Sequence, residues 1–394
     1  MVVEINKLVE CKSEILTKKM FHKKRRKAMN NAVKITFRIV KNRFTILTIT
    51  LFIVVAAMQS GCKKSSSEQK GGLGVTDETL RFVWLADSRG DTLEHPVNTE
   101  ALNAIIAQIA ALSPKPAFVF FGGDQSYRGY IHPSYTFVAW KNLFDTLTKN
   151  GIPLYTAIGN HELYHQHASY GYLLVNQQEY QKVFSENPSN GPAGYDHLAY
   201  TFTSQGGNSF FAVLDPYFVT KDTVHMGLGG HIDDVQMSWL KAQVAQTKAQ
   251  HKFLFIHTPY YYISDDSTES SAADTSLTLL WSFLDANKFD IYACGHSHLF
   301  SRKTIDGSIP ANPPTTPPTP AWQNNVVQLL NGTCGAGPST EIVDENLRTL
   351  WNIHNDPQTY YFTVIDINGG AVTVKSYGGY TGAYSLIDSF TIQK

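Results

Sequence analysis

The chain has 394 residues, 43% of them hydrophobic and 12% aromatic, which is enough to bury a large core. Its formal charge of zero hides an asymmetry. Residues 1–43 hold thirteen Lys or Arg against three acidic residues, which leaves the remainder with 20 basic and 30 acidic groups. A body this acidic excludes nucleic acid as the expected partner, because phosphate backbones need a basic face.

The basic stretch precedes Phe44–Met58, which carries no charge, and then Gln59-Ser60-Gly61-Cys62. A positive region, an apolar region of this length and small residues before a processing point describe an export signal. The apolar run falls short of the roughly twenty residues of a spanning helix; an uncleaved anchor helix is the alternative. Ser60-Gly61-Cys62 resembles the lipobox of bacterial lipoproteins, with Gln59 standing where an aliphatic residue is usual. The resemblance implies removal of residues 1–61, acylation of Cys62, and an exported body lipid-anchored to a bacterial membrane, periplasmic or at the cell surface. Residues 62–76, polar and rich in Ser, Lys and Gly, are expected to form a flexible tether. Beyond Cys62 only Cys294 and Cys334 remain, each in an apolar context that suits a free buried thiol, although one disulfide is possible in an oxidising compartment.

Residues 77–394 suggest one catalytic domain. Leu80–Ala86 is strand-like and ends at Asp87. Asn98–Leu112 carries Leu102, Ile105, Ile106 and Ile109 at helical spacing, with Pro114 as a stop. Ala117–Phe121 is a second apolar strand, ending in Gly122-Gly123-Asp124. A helix over Ser134–Lys149 and a strand over Pro153–Ile158 follow, the latter ending in Gly159-Asn160-His161-Glu162. The stretch Tyr164–Tyr195 is expected to be loop. Tyr200–Thr203 and Phe210–Asp215 pattern as a hairpin, Asp234–Gln246 as an amphipathic helix, and Lys252–Ile256 as a strand delivering His257. A helix over Leu277–Leu284 leads to a strand that ends at Gly295-His296-Ser297-His298. Residues 309–320 are Pro- and Thr-rich, an exposed insertion, and the end of the chain alternates as β-strands from Phe362. Buried strands alternating with helices imply an α/β sheet.

The strand ends therefore collect Asp87, Asp124, Asn160, His161, His257, His296 and His298 at one predicted sheet edge. An Asp after a strand is often only a turn or cap, and His-x-His alone can be two surface histidines. Together the set comprises two carboxylates, an amide oxygen and four imidazoles. That is enough for two metal ions sharing one carboxylate, with one imidazole left to protonate a leaving alkoxide.

This set resembles the calcineurin-like metallophosphoesterase family, from about Leu80 to beyond His298. Gly123-Asp124, Gly159-Asn160-His161-Glu162, His257 and Gly295-His296-Ser297-His298 match four of its five blocks. The first block departs, with Asp87-Ser88-Arg89 carrying arginine where most of the family has a histidine. The second, Gly123-Asp124-Gln125-Ser126-Tyr127, looks like that of purple acid phosphatases, in which the tyrosine is a metal ligand; a packing aromatic is the alternative for Tyr127.

The resemblance implies a four-layer α/β/β/α sandwich of two mixed sheets with a di-metal site at the strand ends. One metal would take Asp87, Tyr127 and His298, the other Asn160, His257 and His296, and Asp124 would bridge; Fe, Mn or Zn suits such ligands. His161 would be the general acid, Glu162 the partner that fixes its ring, and Arg89 a contact to substrate oxygens or a structural ion pair. The implied function is hydrolysis of a phosphate monoester by hydroxide held between the metals. Alternatives are a phosphodiesterase or nucleotide hydrolase on the same site, or an inactive cell-surface binding protein.

Overall fold

The computed structural model describes residues 79–129, 133–164, 171–222, 229–262, 274–308, 322–338 and 351–394. The leader at 1–61, the tether at 62–76 and the insertion at 309–320 lie outside these residues.

Two six-stranded sheets form the centre. Across the first run β12 (Ala383–Gln393), β11 (Ala371–Tyr380), β10 (Tyr360–Asn368), β1 (Thr79–Leu85), β2 (Phe118–Phe121) and β3 (Leu154–Thr156). Strands β1 to β3 are parallel, and β10 to β12 extend them as an antiparallel ribbon. The second sheet runs β4 (Tyr200–Thr203), β5 (Ser209–Val213), β6 (His251–Phe255), β7 (Ile291–Cys294), β9 (Val326–Asn331) and β8 (Phe300–Ile305). Its four inner strands are parallel and its two edge strands antiparallel.

The period of two along each strand decides what packs where. Phe82 and Trp84 of β1, Phe118 and Phe120 of β2, and Phe253 and Phe255 of β6 share one aromatic seam between the sheets. Phe120 and Phe255 stack across it with ring centroids 4.0 Å apart. The alternate residues Val83, Leu85, Val119 and Phe121 face helices α1 (Thr99–Ala110), α2 (Pro133–Leu143), α3 (Asp145–Lys149) and α5 (Leu174–Val183). Leu254 and Tyr292 face α6 (Asp234–Gln246) and α7 (Thr275–Ala286) on the opposite outer side. The result is the expected α/β/β/α sandwich of two mixed sheets.

Three local expectations change. The helix over Ser134–Lys149 breaks at the fully buried Phe144 into α2 and α3. The stretch Tyr164–Tyr195 is not all loop, because it contains α5. The buried face of α5 includes Asn176 and Gln177, whose amides donate to the carbonyls of Leu163, Tyr164 and Val219. Amides take two of its four buried positions, which leaves Tyr180 and Val183 as too short an apolar repeat to detect. Strands β8 and β9 received no assignment from the sequence. Cys294 and Cys334 are both buried and free.

Candidate functional site

The parallel strands of both sheets end at one edge, where an open α/β sheet keeps its ligands. There β1 runs into Asp87, β2 into Asp124, β6 into His257, and β7 into His296 and His298; Asn160 opens the short α4 (Asn160–Leu163) after β3. Backbone bonds tie these loops together. Asp87 N–H donates to Gly123 O at 3.0 Å, Arg89 N–H to Asp124 O at 3.1 Å, and Gly295 N–H to His257 O at 2.9 Å. Asp87, Asp124 and His296 have φ of 61°, 54° and 74°, the left-handed region where non-glycine residues gather at functional sites.

Two motif glycines make the close approach possible. A Cβ on Gly159 would stand 2.3 Å from Asp124 Oδ1, and one on Gly295 2.3 Å from Asp87 Oδ2. Gly295→Ala must therefore push the Asp87 carboxylate aside. We expect it to weaken metal binding by about tenfold or more, measured by metal content after dialysis, with little change in far-UV circular dichroism.

Candidate ligand atoms fall into two groups, each lying within 4.8 Å of one another: Asp87, Asp124 and His298, and Asp124, His257 and His296. Asp124 belongs to both. The Nδ1–H of His257 donates to Gly122 O at 2.7 Å, which turns its Nε2 toward Asp124 Oδ1 at 3.3 Å. Asn160 Oδ1 accepts from His296 Nδ1 at 3.1 Å, and the Asn160 amide donates to the Tyr164 hydroxyl at 2.7 Å. His296 Nε2 is buried without a hydrogen-bond partner. Buried imidazole nitrogens beside two carboxylates fit a cation, and the mixed N and O donors suit Fe, Mn or Zn.

The electrostatics point the same way. Burial resists charging of His257, yet the carboxylates of Asp124 and Asp87 outweigh it and raise the imidazole to about 9. Burial pushes Asp87 well above the usual carboxylate range, and the neighbouring Asp124 adds to the push. Asp124 is also buried, but His257, His161 and Arg89 hold it well below that range. The buried carboxylates draw on His257 and Arg89 for positive charge, the kind of charge a bound cation would supply.

His161 sits at the rim of these groups, its Nε2 3.8 Å from Asp124 Oδ2. Its Nδ1 meets the Tyr127 carbonyl at 2.6 Å, and since a carbonyl only accepts, Nδ1 carries a proton there. Burial lowers the imidazole to about 4, with Arg89 adding to the effect and Asp124 opposing it.

Glu162 is not the partner of that ring. Its two carboxylate oxygens accept four backbone N–H groups, from Asp124 at 2.9 Å, Gln125 at 2.7 Å, Ser126 at 3.3 Å and Gly159 at 2.7 Å. It clamps the Asp124 loop from beneath, and Tyr127 O orients His161 in its place. The side chain is spent on backbone donors that the β2 loop leaves unpaired.

Arg89 does stand at the site. Its Nη2 is 3.3 Å from His298 Nε2 and its Nε 3.9 Å from Asp124 Oδ2. The Tyr127 ring lies between two guanidiniums, 6.0 Å from Arg89 and 5.4 Å from Arg128. Arg128 and Tyr164 escaped the sequence reading. Tyr164 is four residues after Asn160 and its ring packs 4.7 Å from that of His161, a spacing that could have found it. Of Tyr260-Tyr261-Tyr262, the first two are core aromatics, and Tyr262 faces His296 at 6.0 Å.

A family model described as calcineurin-like phosphoesterase matches residues 80–300. Curated proteins give no match. Among solved structures, the chain is similar to the purple acid phosphatase PPD1 from seeds of yellow lupin (Lupinus luteus), at 16% identity and a TM-score of 0.56. That match covers 81% of this chain and 54% of the lupin protein, so the chain spans about half of its length. PhoD matches at 12% identity and a TM-score of 0.54, over 80% of this chain and 70% of that one. A dimetal phosphatase from Danio rerio matches at 14% identity and a TM-score of 0.52, over 80% of this chain and 98% of its own.

Proposed function

Because the chain belongs to the calcineurin-like phosphoesterase family, a family of phosphoric ester hydrolases, we propose that it cleaves phosphate monoesters at the Asp124 site. The observation that carries the reading is the pair of Asp/His groups sharing Asp124, with His161 beside them. Asp87, Tyr127 and His298 would hold one metal and Asn160, His257 and His296 the other, with Asp124 between them. Bound there, the metals supply an activated water and positive charge for the phosphate oxygens. Arg89, permanently charged and fork-shaped, meets the remaining oxygens of a dianionic monoester.

His161 delivers the proton. Its Nδ1–H is committed to Tyr127 O, so only the imidazolium has a second proton, on Nε2, to give to a leaving alkoxide. That form grows as pH falls toward about 4. Turnover of an alkyl phosphate, a poor leaving group, is therefore expected to rise as pH drops from 8 to 5. His161→Asn should flatten this limb and slow the alkyl ester by about a hundredfold or more, with a smaller loss on p-nitrophenyl phosphate. Equal losses on both esters would remove His161 as the acid.

The deciding experiment is turnover of p-nitrophenyl phosphate beside bis-p-nitrophenyl phosphate, with Fe, Mn and Zn, and with His296→Ala as control. Metal-dependent cleavage of the monoester, lost in the variant, is expected. Preference for the diester would move the reading to a phosphodiesterase, and no turnover with metals bound would leave a binding protein. The leader extends the proposal to an exported protein anchored through acylated Cys62, for which labelled palmitate incorporation lost in Cys62→Ser is the test.

A further inference from the structure

The two halves of the site differ in one respect. In the Asp124–His257–His296 half, His296 Nε2 is buried without a hydrogen-bond partner, and His257 Nε2 faces the carboxylates of Asp124 and Asp87 at 3.3 and 3.9 Å, groups that a cation would itself draw on. In the Asp87–Asp124–His298 half, Arg89 Nη2 stands 3.3 Å from His298 Nε2. An arginine has only N–H donors and keeps its proton, so it must donate to that nitrogen's lone pair, the electrons a metal would need. The same guanidinium places positive charge 3.9 Å from Asp124 Oδ2, and its Nε–H is buried with no hydrogen-bond partner. Arg89 sits where the first family block normally carries a histidine, so one guanidinium both withholds a ligand and repels a second cation.

We propose that Arg89 is a latch on the Asp87–Asp124–His298 half, and that an incoming phosphate releases it. A phosphate is the better partner, since it offers the fork two charged oxygens where the neutral imidazole offers one lone pair. Once Arg89 turns to the oxyanion, its unspent Nε–H gains an acceptor and His298 Nε2 becomes free to ligate. One metal ion then binds readily, at His257 and His296. The second binds well only together with the phosphate, and by linkage each tightens the other. The inference rests on the metal-dependent reading above and adds to it the order of assembly: the site completes itself on a phosphate-bearing ligand.

The test is equilibrium dialysis of the full chain against Mn(II), with and without inorganic phosphate, counting ions bound per chain. Wild type should hold one ion tightly, and phosphate should tighten the second by about tenfold, within the usual range for coupled sites. Phosphate could also bridge two ions directly, so the discriminating readout is the phosphate-free one. Arg89→Gln, and Arg89→Met as an uncharged variant of similar reach, should bind the second ion more tightly than wild type with no phosphate present. Two equal, phosphate-independent ions in wild type would overturn the latch while leaving the metal site standing. So would an unchanged second affinity in either folded variant. No ion bound by any of the proteins would overturn the metal-dependent reading itself.

Discussion

Asp124→Asn is expected to lower phosphomonoester turnover by about a thousandfold or more, the scale of losing a charge aimed at the reacting groups. Asp124 is the one carboxylate common to both ligand groups, and its Oδ1 also accepts the His161 N–H at 3.0 Å. The amide keeps the shape and removes the charge. It can also turn an N–H2 toward His257 Nε2, which the carboxylate now faces at 3.3 Å. The fold should survive, because the loop is held by backbone bonds from Asp87, Ser88 and Arg89 and by the Glu162 clamp. The diagnostic is thermal: metal at a hundred times its dissociation constant should stabilise wild type by about 2.7 kcal/mol and should scarcely move the variant. A variant that still gains stability from metal and still turns over would remove Asp124 from the centre of the site.

Glu162→Gln should damage stability and activity together. The carboxylate satisfies four buried N–H groups. A glutamine keeps one oxygen and turns an N–H2 against the other pair, so two donors lose their acceptor and meet another donor. Buried donors left unsatisfied cost about 1–3 kcal/mol each, so a loss of about 2–5 kcal/mol is expected in urea unfolding. The displaced Asp124–Ser126 segment should also reduce turnover by about a hundredfold, the scale of a small misplacement at a reacting centre.

The pH dependence has a definite sign. Burial pushes Glu162 up to about 7, Asp124 adds to it, and the backbone donors resist. A folded-state value above the unfolded one makes ionisation costlier in the fold. This contribution is therefore fully present below about 4.5 and is lost as pH rises to about 7. Burial lowers His161 to about 4 and His296 to about 3, so their contributions rise over part of the same window. The Glu162 component should appear as the difference between the metal-free profiles of wild type and the glutamine variant, falling as pH rises from about 4.5 to about 7. Identical profiles would show that Glu162 is not the group responsible.

The site was legible where chemistry and chain coincide. Asp87, Asp124, His257 and His296 each follow a short run of apolar residues, and such runs mark buried parallel strands ending at one edge. Glu162 was legible as a residue and not as a function. Three of its four partners are backbone N–H groups of a loop 36 to 38 residues away, which no side-chain pattern announces. Helix α5 was hidden because amides occupy half of its buried face. Arg89 stood out as a departure from the family block, but only the structure reveals that it engages His298.

The aromatic seam between the sheets has a mechanical consequence. Asp87, Asp124 and Asn160 belong to one sheet and His257, His296 and His298 to the other. A cation held among them is a cross-link, joining positions as far apart in the chain as Asp87 and His298, separated by 211 residues. Like a covalent staple, it restricts the unfolded chain most when the loop it closes is long. Stripping the metal would then cost the molecule its brace as well as its chemistry, and the two sheets, left to the Phe120–Phe255 stack and its neighbours, should breathe apart more readily under protease or hydrogen exchange.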